Sequence, residues 1–278
     1  MKMQKILLGA LVALLPSGAA LADWELNMRE GVTAISRDIH GLHMLIFYVC
    51  CAIAVFVFGW MILALVLHRK SRGVEPAQFS HSTKAEIIWT LIPVLILVGM
   101  AVPATQTMLD IEDDRNPDIT IKATAYQWKW QYEYIDEEVS FYSNLARTSN
   151  DARRLDSGID PTTVENYLLE VDNHVIVPVD KKVRVLITSN DVLHAWWMPD
   201  FGIKKDAIPG YINQVWFRAE EPGIYRGQCA ELCGQDHGFM PIVVEVLAQD
   251  EFDARMAALQ AEQGVGSTQF ADNTASAE

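Results

Sequence analysis

Residues 42–67 and 87–108 contain no formally charged side chain. At about 1.5 Å rise per residue each stretch exceeds the ~30 Å hydrocarbon core of a bilayer. The pattern therefore predicts two transmembrane helices over those residues. Pro93 and Pro103 lie in the second, where a proline kinks a membrane helix without forbidding it. A third apolar run, Ile6 to Leu15, is too short to cross. Lys2 and Lys5 precede it, and the small residues of Ala20-Leu21-Ala22 follow it, so residues 1–22 read as a cleaved secretory signal with Asp23 as the mature N-terminus.

Beyond residue 108 the period changes to two. Alternating runs rich in Val, Ile, Tyr and Trp occur at 119–134, 167–178, 183–189, 214–219 and 242–247, separated by Pro, Gly, Asp and Asn. Such short strands predict an antiparallel sandwich or Greek-key barrel. Residues 144–163 are polar, with Arg153-Arg154 and Asp160-Pro161, and read as a surface loop. Residues 249–278 read as a tail: one amphipathic helix through Phe252, Met256 and Leu259, then a low-complexity end.

Charge orients this plan. The loop between the apolar stretches carries Arg69, Lys70, Arg72 and Lys84, whereas Asp23, Glu25, Glu30 and Asp38 precede the first stretch and Asp110, Glu112, Asp113 and Asp114 follow the second. The positive-inside rule then puts the loop in the cytoplasm and both mature termini outside, in agreement with the signal. The part after residue 108 carries 14 Lys+Arg against 30 Asp+Glu, a net of −16, while the rest is +2, so the negative charge of the chain resides there. Nucleic acid is excluded as a natural partner of such a surface, and a basic protein suits it.

The four cysteines separate by position. Cys50-Cys51 fall in the first apolar stretch, where packing is the simple reading. Cys229 and Cys233 belong to Gly227-Gln228-Cys229-Ala230-Glu231-Leu232-Cys233-Gly234-Gln235-Asp236-His237-Gly238-Phe239-Met240, a C-x3-C-x3-H-x2-M spacing. In an oxidising compartment a Cys229–Cys233 disulfide is one reading. The histidine and methionine that follow argue for another, because two thiolates, an imidazole and a thioether form a soft set suited to copper. A mononuclear blue-copper site needs one cysteine; a second lets two sulfurs bridge two metals, each of which needs its own imidazole. His194, after a strand and before Ala195-Trp196-Trp197, is the candidate for the second imidazole, and His174 reads as an ordinary strand end.

With the cysteine loop, the segments Asp191-Val192-Leu193-His194-Ala195-Trp196, Lys205-Asp206-Ala207-Ile208-Pro209-Gly210, Tyr126-Gln127-Trp128-Lys129-Trp130 and Glu86-Ile87-Ile88-Trp89-Thr90 make the chain resemble subunit II of haem–copper cytochrome c oxidases, bacterial aa3 type. The resemblance implies a two-helix transmembrane hairpin plus an all-β Greek-key cupredoxin barrel, in the bacterial inner membrane with the barrel periplasmic. The expected organisation is a signal over 1–22, the hairpin over 23–108, the copper domain over 109–248 and the tail over 249–278.

The resemblance also implies a binuclear copper A centre. In it Cys229 and Cys233 bridge two copper ions, His194 and Met240 complete one, and His237 and the Glu231 carbonyl complete the other. The Glu231 carboxylate would hold a magnesium or manganese ion shared with subunit I, a role suited to a hard oxygen ligand. Electrons would come from a cytochrome c through Trp128 and pass to haem in subunit I, where oxygen is reduced and protons are pumped. The period-two pattern favours a different place for Trp128: Tyr126, Trp128, Trp130, Tyr132 and Tyr134 share one face of a regular strand, which means core. Lys129 stands where an aromatic is common in the family. Two readings also fit Glu86: a solvated carboxylate at a helix N-terminus, or the proton uptake point that the resemblance implies.

Rival classes make different demands. A quinol oxidase subunit II would lack the cysteine loop, nitrous oxide reductase would need a histidine-rich catalytic domain, and a copper-delivery protein would need an open site. The absence of C-x-x-C-H excludes a fused c-type haem.

Overall fold

The computed structural model describes residues 27–73, 75 and 78–264. The expected signal over 1–22 and the end of the expected tail, 265–278, lie outside them. Both apolar stretches form helices, and both helices outrun the apolar boundaries. The first, α1, spans Ala34–Leu67 rather than 42–67. Its polar opening turns are supported by a capping box, in which the Ser36 amide donates to Thr33 Oγ1 at 3.0 Å and the Thr33 amide to Ser36 Oγ at 3.1 Å. The second, α2, spans Thr83–Glu112 rather than 87–108, and contains both prolines. Phe56, Trp60 and Leu95 are among many apolar side chains that the isolated chain leaves exposed along the two helices. Such a surface demands lipid or other membrane helices.

The rest is a β-sandwich with strands β1 (Ile119–Tyr126), β2 (Lys129–Tyr134), β3 (Val139–Ser143), β4 (Val175–Pro178), β5 (Val183–Ser189), β6 (His194–Met198), β7 (Ile203–Ala207), β8 (Asn213–Phe217), β9 (Gly223–Cys229) and β10 (Pro241–Leu247). One sheet has the order β3-β2-β1-β5-β8, the other β4-β10-β9-β6-β7. The sheets are mixed rather than wholly antiparallel, because β1 pairs parallel with β5 and β4 parallel with β10. Long connections separate both parallel pairs in sequence, as a parallel crossover requires.

Two expected runs are broken. The alternation over 119–134 is a hairpin: β1 and β2 pair antiparallel with Tyr126 opposite Lys129, and Gln127 and Trp128 form the turn. Within β2 the alternation holds, with Trp130, Tyr132 and Tyr134 buried. Of the run over 167–178 only β4 is a strand; Asn166 and Leu168 take left-handed backbone conformations that interrupt extension before it.

Between the sheets, β1, β2 and β5 meet β6, β9 and β10 in one apolar core that includes Trp130, Trp196, Phe201 and Phe217. The buried Tyr134 hydroxyl ties the layers together, donating to the Ile176 carbonyl and accepting from the Ile176 amide, each at 2.8 Å. Tyr134→Phe leaves both buried groups unpaired and is expected to destabilise the chain by about 2 kcal/mol. Thermal unfolding in detergent measures it, and an unshifted midpoint would mean the hydroxyl contributes nothing. The helix α4 (Gln249–Gln263) packs on the sandwich with Phe252 and Met256 buried, so the first part of the expected tail belongs to the core.

The hairpin is joined to the sandwich by several contacts. The Val32 amide donates to the Asp200 carbonyl at 2.8 Å, the Glu220 amide donates to the Val32 carbonyl at 3.0 Å, and Arg37 pairs with Glu220 at 2.6 Å. Gly202 permits this approach: its φ is +71°, and a Cβ there would lie 2.9 Å from Ser36 Cα.

Candidate metal centre

The cysteine loop connects β9 to β10 and closes one end of the sandwich. Cys229 is the last residue of β9, His194 the first of β6, and Met240 immediately precedes β10. Strand pairing therefore brings residues distant in sequence together: Trp196 lies opposite Cys229, two residues along β6 from His194. The two sulfurs are 3.9 Å apart. Around Cys229 Sγ stand His194 Nδ1 at 3.8 Å and the Glu231 carbonyl at 3.4 Å. Around Cys233 Sγ stand His237 Nδ1 at 3.5 Å and Met240 Sδ at 3.6 Å. Cys229, Cys233, His194 and Met240 are buried, and His237 is half-buried. Both cysteines are free thiols, so the disulfide reading does not describe this structure.

Electrostatics explain why such a set favours cations. Burial alone would raise the Cys229 thiol, but hydrogen bonds with His194 and from backbone amides bring it below its ordinary value. Burial, then the neighbouring Cys229, push the Cys233 thiol up. Two adjacent thiolates are tolerated only when positive charge lies between them. The donors are soft, convergent and shielded from water, and they fit copper.

His194 is oriented from behind. Its Nε2 lies 2.9 Å from Asp191 Oδ1, which holds the proton on Nε2 and leaves Nδ1 directed at Cys229. Burial would lower this imidazole's pKa, but the Cys229 and Asp191 contacts raise it overall. Asp191 also accepts from the amides of Gln127 at 2.7 Å and Val192 at 2.6 Å. In the sequence it opens the segment Asp191-Val192-Leu193-His194-Ala195-Trp196, but that segment does not single it out as the group that orients His194. The signal that could have found it is the D-x2-H spacing across a turn, which sets a carboxylate against an imidazole.

Trp128 is half-buried at the β1–β2 turn, outside β2, and packs against the edge of the core rather than within it. Its Nε1–H donates to the Cys233 carbonyl at 3.3 Å, and Gln127 Nε2 donates to the same oxygen at 2.8 Å. Lys129 Nζ lies 4.1 Å from the centroid of the Tyr142 ring. Glu231 presents its carbonyl to Cys229 while the residue itself is exposed. Glu86 is not brought to this centre. It lies in the first turn of α2, with an oxygen 2.8 Å from His81 Nδ1, at the end of the helix away from the sandwich.

The family model described as the periplasmic domain of cytochrome c oxidase subunit II matches residues 119–247, and that for its transmembrane domain matches residues 22–107. The chain belongs to the cytochrome c oxidase subunit II family. Among curated relatives, a probable cytochrome c oxidase subunit 2 of Rickettsia bellii is 38% identical over 83% of this chain and 82% of its own length. The cytochrome c oxidase subunit 2 of Cereibacter sphaeroides is 37% identical over 82% of this chain and 78% of its own. Among solved structures, the periplasmic domain of subunit II of cytochrome oxidase from Bradyrhizobium japonicum is 41% identical, with a TM-score of 0.46, covering 53% of this chain and 96% of that one. This subunit II is thus a component of a haem–copper oxidase, a membrane oxidoreductase, with two apolar helices and a soluble domain that carries a Cys/His cluster compatible with copper.

Proposed function

We propose that this subunit II receives electrons one at a time from a soluble c-type cytochrome at Trp128 and passes them, through two copper ions held by Cys229, Cys233, His194, His237, Met240 and the Glu231 carbonyl, to haem in subunit I. The observation that carries this reading is the convergence of two sulfurs, two imidazole nitrogens, a thioether and a carbonyl on one buried spot. Two coppers held by these residues would supply a carrier of one electron at a time.

The chain's own residues provide the rest. The strands and the closed loop hold the donors in place, so little has to move between redox states. Asp191 sets the His194 tautomer. The indole of Trp128, hydrogen-bonded to the Cys233 carbonyl, joins the surface to a bridging cysteine by a short path. The basic loop at Arg69, Lys70, Arg72 and Lys84 supports a cytoplasmic turn and a periplasmic sandwich. Glu86 would then face the cytoplasm, as proton uptake into subunit I requires, and the exposed Glu231 carboxylate is free to bind magnesium or manganese at the subunit I boundary.

The full chain, purified in detergent and loaded with copper, is expected to hold two coppers and to show one unpaired electron shared equally between them. Metal analysis and electron paramagnetic resonance measure both, and one copper per chain, or a spin localised on one nucleus, would overturn the binuclear reading.

The donor cytochrome is expected to be basic. Of the acids that sequence and family resemblance put near the entry region, Glu133 pairs with Lys122 at 3.2 Å, Asp172 accepts from Asn144 and Asp191 contacts His194, while Glu138 is exposed. Steering therefore comes from the net negative field rather than from a few free carboxylates. Association should slow steeply with salt, since exposed charges are screened beyond about 8 Å at physiological ionic strength. Lys129→Gln should speed it slightly. Stopped-flow reduction across a salt series reads both, and a rate indifferent to salt would remove electrostatic docking.

A further inference from the structure

The connection from β3 to β4, residues 144–174, is not used by the function above, yet it is firmly built. It contains the short helix α3 (Arg147–Ala152), with Ser149 and Ala152 buried. Leu145 bridges Val171, and the Ala146 amide donates to the Glu170 carbonyl at 2.9 Å. The Leu168 amide donates to Ser149 Oγ at 3.1 Å, and the Asn144 amide to Asp172 Oδ1 at 2.7 Å. Glu170 in turn is paired with Arg226 of β9 at 2.6 Å.

From this platform Arg153 reaches the cysteine loop. Its two terminal nitrogens donate to the two Asp236 carboxylate oxygens, each at 3.2 Å. The guanidinium carbon lies 4.3 Å from the centroid of the Phe239 ring. Nε–H donates back to Asn150 Oδ1 at 2.8 Å, so the side chain is held from its own side as well. Asp236 immediately precedes His237, and Phe239 immediately precedes Met240. One guanidinium thus grips the loop beside two of its donors. The pair is only 27% and 22% exposed, and its geometry is bidentate, the arrangement in which an arginine–carboxylate contact exceeds an ordinary surface ion pair.

We propose that Arg153 is a positioning residue for the cysteine loop: by fixing Asp236 and Phe239 it holds His237 and Met240 ready for copper and slows copper escape. The inference rests on the copper reading above. Preorganisation of this kind strengthens binding because the loop need not be ordered when the metal arrives. Lysine cannot reproduce it, having neither the fork nor the planar face. The adjacent Arg154 is 67% exposed and pairs instead with Asp151 at 3.6 Å, within its own helix region. It is the natural control.

The test uses the copper-loaded full chain in detergent and follows copper transfer to a copper(I) chelator, with the paramagnetic spectrum and the reduction potential as independent readouts. Arg153→Ala is expected to release copper about tenfold faster, the equivalent of losing one charge-assisted hydrogen bond, and to change the histidine hyperfine pattern. Its potential should fall, because Asp236 is left as an uncompensated anion beside the centre. Arg153→Lys should lie between and Arg154→Ala should match the wild type. Adding Asp236→Asn to Arg153→Ala should speed release little further, because the two hold the loop as one unit, and should bring the potential back up by removing the anion. Arg153→Gln carries the same test where the alanine variant does not accumulate. Wild-type release and spectrum in a variant lacking Arg153 would overturn the proposal, even if thermal stability falls. A wild-type chain that takes up no copper pair would instead overturn the copper reading, and this inference with it.

Discussion

Cys229→Ser and Cys233→Ser are each expected to abolish the shared-spin copper signal completely, not merely to halve it. The sulfurs are 3.9 Å apart, and each has its own flanking donors: His194 and the Glu231 carbonyl beside Cys229, His237 and Met240 beside Cys233. In the proposed centre each sulfur would serve both metals, so the loss of either removes a ligand from each. A serine hydroxyl does not ionise near neutral pH and is a hard donor, so it replaces neither the charge nor the softness of the thiolate. Metal content should drop to one copper or none, with any remaining spin on a single nucleus. Both variants should fold, since the cysteines lie at the rim of a large core whose main aromatic residues are elsewhere. Retention of the shared spectrum by either variant would show that its sulfur does not bridge.

Trp128→Ala is expected to leave copper content and spectrum intact while cutting electron input from cytochrome c severely, by orders of magnitude. The indole is half-buried at a hairpin turn rather than sealed among Trp130, Tyr132 and Tyr134, so its removal opens no deep cavity. What it does remove is the aromatic surface in hydrogen-bond contact with the Cys233 carbonyl. Rapid-mixing reduction of the centre by cytochrome c, set against reduction by a small artificial donor, separates the two effects. Loss of copper, or equal slowing with both donors, would assign Trp128 to structure instead.

Much of this was legible in the chain because the signals were strong and local. Uninterrupted apolar stretches mark the helices, and a loop with four donors in twelve residues marks the centre. The helix ends were less legible, since α1 starts at Ala34 on a capping box while hydropathy registers only from residue 42. The β1–β2 turn was hidden for a related reason. Gln127-Trp128 carries no glycine, asparagine or proline, and aromatic alternation continues across it, so the pattern suggested one strand. β7 (IKKDA) is short and polar, and β9 (GIYRGQC) has two glycines; both are strands through pairing with neighbours rather than through propensity. Arg153 acts through contacts 83 residues away in the chain, which no local spacing reveals, whereas the hold of Asp191 on His194 is a local spacing of three.

The attachment of the sandwich to its hairpin has a mechanical consequence. Val32 lies within the hydrogen bonding between Asp200 and Glu220, while Lys182 Nζ donates to the carbonyls of Asp113 at 2.7 Å and Arg115 at 2.8 Å just beyond α2. Both helix ends are therefore clamped to the sandwich, which is no bead on a swinging tether. The domain must tumble with its anchor, at the slow pace of a bilayer-embedded body. Any soluble partner that docks on the sandwich consequently meets a target of constant height and tilt, and the search for a productive orientation falls to that partner alone.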